Sequence, residues 1–223
     1  MAAVLLGFGL AATASAANED PQRLQAAGQV IDEIMQAPDK GIPSNLFQKA
    51  HCVVVIPSMK KAGFIFSGKY GRGFAVCRKS GGGWTDPAGM RIEGGGFGLQ
   101  AGGSATDVVL LVMSKKGADG LLASKFTLGG EASVAAGPVG RDVTAQTDAT
   151  MRADILSWSR SRGVFGGVSL QGGTLRPDND ANRGLYGENV SSKDILKGTI
   201  DKPLTPDLYV DKVEQYGGNQ EVK

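Results

Sequence analysis

The sequence is poor in the side chains that most enzyme and metal sites require. It has one histidine, His51, and two cysteines, Cys52 and Cys77, among 223 residues. No Cys-x-x-Cys spacing is present, which excludes the usual ligand pattern of a structural zinc site. His51 and Cys52 are adjacent in a predicted strand, so their side chains point to opposite faces and cannot form a nucleophile pair with each other. The Gly-x-Ser-x-Gly motif of serine hydrolases is also missing.

A large excess of one charge is lacking too. The 24 lysines and arginines nearly balance the 22 acidic residues, and the net charge is +2. Such a balance gives no electrostatic reason to expect a nucleic-acid partner. We therefore predict no metal, no cofactor, no nucleic-acid binding and no enzymatic function. One enzymatic alternative is a hydrolase that uses two converging carboxylates, drawn from Glu93, Asp107, Glu131 and Asp142.

Glycine, by contrast, is abundant. Its 34 residues are about twice the usual share of roughly 7%. Many lie within residues 94–141, where paired glycines alternate with short apolar runs. Glycine weakens a strand unless the backbone must bend, bulge or approach another surface closely. The pattern predicts a strongly curved, partly closed antiparallel sheet with the shape of a barrel.

Helical patterns are grouped at the two ends of the chain. A cap residue and a proline at Asp20-Pro21 begin a helix, whose apolar stripe contains Leu24, Ala27, Ile31 and Ile34. Residues 51–56 predict a strand that is buried on both faces and ends at Pro57. Further strands are predicted over residues 63–67, 73–77, 90–101, 106–113, 125–128, 143–147, 155–159 and 163–170. Helices are predicted over residues 180–186 and 192–197 and after a cap at Thr205-Pro206, which makes the fold class α+β.

The first 17 residues carry no charge. An apolar run over residues 4–12, followed by Ala14-Ser15-Ala16, is typical of a secretory signal peptide and its cleavage site. A membrane anchor is the alternative, although the run is shorter than the roughly 20 apolar residues that a span needs. We predict a signal peptide over residues 1–17 and a single domain over residues 18–223. The expected location is the periplasm or the cell surface.

The two cysteines fit an oxidising compartment. Cys52 and Cys77 each lie in an apolar, strand-like run, and a disulfide is possible if those two strands are neighbours. Two buried free thiols that pack as small apolar side chains are the alternative.

Basic residues cluster around the turns of the predicted sheet, where they can attract anionic lipid headgroups. Their other possible role is to solubilise turns and protect strand edges. Aromatic residues near the glycine bends are candidates for contact with acyl chains. The candidate lipid-binding set is Lys60, Lys61, Lys69, Arg72, Arg78, Lys79, Arg91, Phe64, Phe66, Trp84 and Phe97.

Several motifs, in this order, resemble the SYLF domain family. They are VVVIPSMKKAGF at residues 53–64, GGFGLQAGG at 95–103, TLGGEASVAAGPVGR at 127–141 and GVFGGVSLQGG at 163–173. The resemblance covers most of the chain and implies a lipid-binding module, here a bacterial exported member. Eukaryotic members of the family are linked to phosphoinositides, and some of them to actin.

These observations together predict an exported, non-enzymatic domain that is peripherally associated with a membrane. It would bind phospholipid, most readily anionic phospholipid, through basic groups and apolar side chains of the curved sheet. Actin is not an expected partner of an exported protein. The alternative is a structural or adhesive envelope protein that binds another protein.

Overall fold

The structure is a computed structural model, and it describes residues 19–37, 41–63, 66–97, 102–139, 152–161, 164–187, 189–200, 204 and 206–218. The predicted signal peptide, Phe64, Asp142 and the strand predicted over residues 143–147 lie outside these ranges.

Six helices and nine strands are described. The helices are α1 (Glu19–Gln36), α2 (Ser44–Lys49), α3 (Lys115–Leu121), α4 (Asn179–Tyr186), α5 (Ser192–Leu196) and α6 (Leu208–Gly217). The strands are β1 (Cys52–Gly63), β2 (Phe66–Cys77), β3 (Ala88–Phe97), β4 (Gly102–Val112), β5 (Phe126–Thr127), β6 (Val134–Ala136), β7 (Ile155–Ser161), β8 (Val164–Gly167) and β9 (Thr174–Pro177). This confirms the predicted α+β class. Among the described helices, none combines the length and the hydropathy that crossing a bilayer requires.

The strands form one curled sheet in the order β5-β9-β3-β2-β1-β4-β7-β6, with β8 paired to β7. All pairs are antiparallel except β6 with β7, which sequence analysis did not anticipate. Strands β5 and β6 lie at opposite ends of this order, yet residues 128–133 connect them directly along the chain. The sheet therefore curls into an open half-barrel, which confirms the predicted curvature.

Successive apolar side chains of the central strands point to opposite faces of the sheet and fill two cores, one on each face. On β1, Val53 and Val55 face the core shared with helices α1, α2 and α6. Val54 and Ile56 face the inner core of the curl. All four are fully buried, so the prediction of a strand buried on both faces is confirmed.

The predicted end of this strand at Pro57 is wrong. Strand β1 continues to Gly63, and its register with β4 shifts by one residue between Ile56 and Met59. The shift is a β-bulge, which bends the strand. At the bulge Ser58 has a φ of 50°, and its N–H donates to the Asp107 carboxylate on β4 at 2.8 Å. Arg160 on β7 holds the same carboxylate at 2.7 Å.

Glycine is required where β2 passes this bend. A Cβ at Gly73 would lie 1.9 Å from the Val55 carbonyl oxygen, and one at Gly71 would lie 2.5 Å from the Ile56 side chain. The backbones of β1 and β2 approach so closely here that no larger residue fits. This close approach supports the argument that glycine permits the curvature of the sheet.

Helices α1 and α6 cover the outer core. The predicted stripe of Leu24, Ala27, Ile31 and Ile34 is buried, as expected. On α6, Tyr209 is fully buried and its hydroxyl donates to the Val53 carbonyl at 2.8 Å. The N-cap of α6 is Asp207, because its carboxylate accepts the N–H groups of residues 209 and 210. The predicted cap residue Thr205 lies outside the described residues.

Candidate functional site

The four longest strands extend past the bulge to form an uncovered end of the sheet. We call it the distal end and define it as residues 60–63, 66–70, 94–97 and 102–105. Here β1 pairs with β2 as far as Gly63 and Ser67, and β2 pairs with β3 as far as Phe66 and Phe97. The connections β1–β2 and β3–β4 therefore leave the sheet at the same place, and two of the predicted phenylalanines occupy facing positions.

Three of the predicted lysines lie at this distal end. Lys61 on β1 is the cross-strand partner of Lys69 on β2, and Lys60 is the partner of Tyr70. Burial, together with the charge of Lys61, lowers the pKa of Lys69. Like charges that face each other across two strands are unfavourable. Among the described residues, no carboxylate forms an ion pair with any of these three lysines.

Both faces of the distal end are accessible to solvent. Lys60 and Tyr70 are exposed on one face, and Tyr70 retains 48% of its surface. Ser104 and Ala105, successive residues of β4, are also exposed, and successive residues of a strand point to opposite faces. Exposed residues therefore lie on both faces of the described part of the distal end. The distal end is thus an accessible, positively charged projection from a rigid core.

Two of the predicted arginines have protein partners near the middle of the sheet. Arg72 forms an ion pair with the buried Asp178, with Nη2 to Oδ1 at 3.1 Å, and it lies 3.7 Å from Asp20. These partners raise the pKa of Arg72. Arg91 lies 2.8 Å from Glu93. Arg72 thus connects β2 to α1 and to the start of α4, whereas Arg91 pairs with a residue of its own strand.

Arg78 and Trp84 occupy the opposite end of the sheet, where they hold helices in place. The guanidinium of Arg78 donates to four backbone carbonyls at 2.7–3.0 Å, those of Gln48, Ala50, Gly217 and Gly218. It also lies 4.3 Å from the centre of the Trp84 ring. Trp84 is only 3% exposed and its indole N–H donates to the Gly218 carbonyl at 3.0 Å.

The candidate carboxylates have structural roles where they are described. Glu93 is paired with Arg91 and Arg176, and Asp107 holds the bulge. Glu131 accepts the N–H of Thr127 in a turn at 2.6 Å. Within the described ranges, no cluster of three or more histidine, cysteine, aspartate or glutamate side chains is arranged to bind a metal.

Cys52 and Cys77 are joined by a disulfide in the structure. They are direct cross-strand partners on β1 and β2. Beside them is a cleft of about 660 Å³ that also contains Lys79, the remaining residue of the predicted set. The candidate set did not include its other lysines, Lys115 and Lys197, because they come from distant elements that carry no shared sequence signal.

Comparison with known proteins identifies the family. The family model Ysc84, described as "Las17-binding protein actin regulator", matches residues 93–214. The chain belongs to the Ysc84 family. This confirms the SYLF resemblance found in the sequence.

Relatives of this Ysc84-family chain include eukaryotic proteins. An SH3 domain-containing protein of Schizosaccharomyces pombe is 36% identical over 191 residues, which are 84% of this chain and 42% of the relative. Protein YSC84 of Saccharomyces cerevisiae is 36% identical over 174 residues, 76% of this chain and 36% of the relative. SH3 domain-containing YSC84-like protein 1 of Homo sapiens is 33% identical over 174 residues, 77% of this chain and 51% of the relative. The chain thus spans about half or less of the length of these relatives.

Proposed function

We propose that this chain is a non-enzymatic module that binds membrane phospholipid through the distal end of its sheet. The observation that carries the proposal is the convergence of Lys60, Lys61 and Lys69 at an uncovered sheet end where Phe66 and Phe97 occupy facing positions. Lysines attract the anionic surface of a bilayer, while aromatic residues are suited to its interface.

Electrostatics favours an anionic ligand at this end. The facing pair Lys61 and Lys69 has no carboxylate partner among the described residues. A phosphate group bound between the two ammonium groups would relieve their repulsion. A basic residue near an anionic membrane contributes about 1 kcal/mol. The three lysines together therefore contribute about 3 kcal/mol, or about a hundredfold in affinity.

The test is flotation with phosphatidylcholine vesicles, with and without about 30% phosphatidylserine, at low salt. The distal variant carries Lys60→Gln, Lys61→Gln and Lys69→Gln. Its matched control carries Lys49→Gln, Lys125→Gln and Lys193→Gln, which remove the same charge from exposed positions elsewhere. We expect the distal variant to lose most binding to the anionic vesicles and the control to keep it. Equal binding by the two variants, or no binding by the unmodified protein to either vesicle, would refute the proposal.

Protein binding is the second candidate function. It is favoured by the family description, which names Las17 binding and actin regulation, and it includes the structural or adhesive role predicted as the alternative. The discriminating measurement is co-sedimentation with filamentous actin in the absence of lipid. Binding to actin without any flotation on vesicles would select protein binding over lipid binding.

We also propose that the protein is exported and acts at the periplasmic or outer surface of a membrane. The disulfide Cys52–Cys77 supports this location, because disulfides persist mainly in oxidising compartments. The test is to denature the cells without reductant in the presence of a thiol-alkylating reagent, so that the buried cysteines become accessible, and to separate the products by mass. Two alkylated cysteines would contradict an exported location.

A further inference from the structure

The basic cleft lies at the end of the sheet opposite the distal end. It forms where β1 begins and β2 ends, and residues of helices α3 and α5 line it. Its volume of about 660 Å³ is within the range of small-molecule sites in proteins. Polar side chains that line the cleft include Lys79, Lys115, Lys197, His51, Ser80 and Asp119.

The cleft has a clear excess of positive charge. Arg78, Lys79, Lys115 and Lys197 line it, and Asp119 is the single acidic residue among its described lining residues. The ion pair of Lys115 with Asp119 is long, at 3.9 Å, and its two side chains are 85% and 62% exposed, so it neutralises little. Among the described residues, Lys79 and Lys197 form no ion pair. Several cations around one concavity concentrate anions there.

Parts of the cleft are held in fixed positions. Arg78 is anchored by the four helix-terminal carbonyls described above. The stem of Lys79 packs beside Gly198, where a Cβ would lie 3.6 Å from the lysine Cγ. Burial, followed by the charges of Arg78 and Lys115, lowers the pKa of His51. The imidazole is therefore neutral at pH 7 and can still donate one hydrogen bond.

We propose that this cleft binds a phosphate-bearing ligand, separately from the distal end. Lys79, Lys115 and Lys197 would surround the phosphate, and Ser80 and His51 supply further donors. Ala118, Leu122 and Leu196 form an apolar wall for the remainder of the ligand. The phosphate can belong to a soluble molecule or to a lipid headgroup, since both present the same group. This inference does not depend on the membrane contact proposed for the distal end.

The first measurement is NMR titration of the full chain with inorganic phosphate, against sodium chloride at matched ionic strength. We expect saturable shifts of the amides around His51, Lys79 and Lys115. In the variant Lys79→Gln/Lys197→Gln the dissociation constant should rise about tenfold or more. The matched control, Lys49→Gln/Lys125→Gln, removes the same charge at exposed positions outside the cleft and outside the distal end, and should leave the titration unchanged. Absence of saturable shifts beyond those in chloride, or equal weakening in the control, would overturn the proposal.

The second measurement separates the two sources of phosphate. Vesicles of phosphatidylcholine with about 20% phosphatidic acid present a phosphomonoester at a membrane surface. If Lys79→Gln/Lys197→Gln lowers binding to these vesicles, the cleft accepts a headgroup. If the same variant weakens only the binding of inorganic phosphate, the ligand is soluble. A failure of the distal end to bind membranes would leave the phosphate titration intact, so the two proposals fail separately.

Discussion

Replacement of Arg78 with lysine tests whether this residue supports the fold rather than contacting lipid. Its guanidinium donates from three nitrogens to carbonyls at the ends of α2 and α6. A lysine side chain has a single donor nitrogen, which cannot reproduce the planar arrangement of the guanidinium. At least two of these four hydrogen bonds should therefore be lost. Hydrogen bonds that involve a charged group contribute about 1.5–3 kcal/mol each. Loss of the cation–π contact with Trp84 should lower the free energy of unfolding by about 1 kcal/mol more.

We therefore expect Arg78→Lys to lower the free energy of unfolding by about 4–7 kcal/mol. Urea denaturation, monitored by circular dichroism, measures this difference. The control is Arg183→Lys on α4, an exposed arginine bonded to Asn189 and Asp180, which should cost less than about 0.5 kcal/mol. At a temperature where the variant remains folded, its flotation on anionic vesicles should match that of the unmodified protein. A loss of stability below about 1 kcal/mol, or a loss of vesicle binding by the folded variant, would refute this role.

Two further predictions concern a close approach and a buried acid. Gly73→Ala should destabilise the protein by about 2–4 kcal/mol in urea, because its Cβ would meet the Val55 carbonyl. Gly166→Ala on β8, where a Cβ meets nothing within 4 Å, should have little effect, and equal losses in the two variants would contradict the packing argument. Burial raises the pKa of Asp207 to about 6. Protonation of Asp207 therefore stabilises the folded state fully below about pH 4, and this stabilisation is lost as the pH rises through 6. Asp207→Asn should keep the helix cap and raise the free energy of unfolding by about 1–2 kcal/mol at pH 7.5. Its free energy of unfolding should also depend less on pH between pH 4 and 6, and an unchanged pH profile would exclude this assignment.

Much of the fold could be predicted because local patterns agree with it. The helical stripe of α1 and the continuous apolar run at the start of β1 are local signals, and both are confirmed. The bulge after Pro57 could not be predicted, because it depends on Asp107, which lies 49 residues from Ser58 along the chain. The parallel pairing of β6 with β7 likewise follows from how the sheet curls, and a run of three residues carries no signal for it.

The candidate site shows the same division. Lys60, Lys61 and Lys69 lie close in sequence, and the register of one hairpin brings them together. Arg78 looks like another turn cation in the sequence, but its carbonyl partners at Gly217 and Gly218 are about 140 residues away. Long-range partners of this kind decide which basic residues hold the fold together and which face solvent.

The most direct test of the central claim measures which end of the sheet enters the membrane. Tyr70 at the distal end is 48% exposed and Val164 on β8 is 54% exposed, whereas the native Trp84 and Trp158 are buried. Tryptophan placed by Tyr70→Trp should shift its emission to the blue on anionic vesicles and be quenched by brominated acyl chains, while Val164→Trp should show neither change. The opposite result, quenching at position 164 without quenching at position 70, would contradict membrane binding through the distal end.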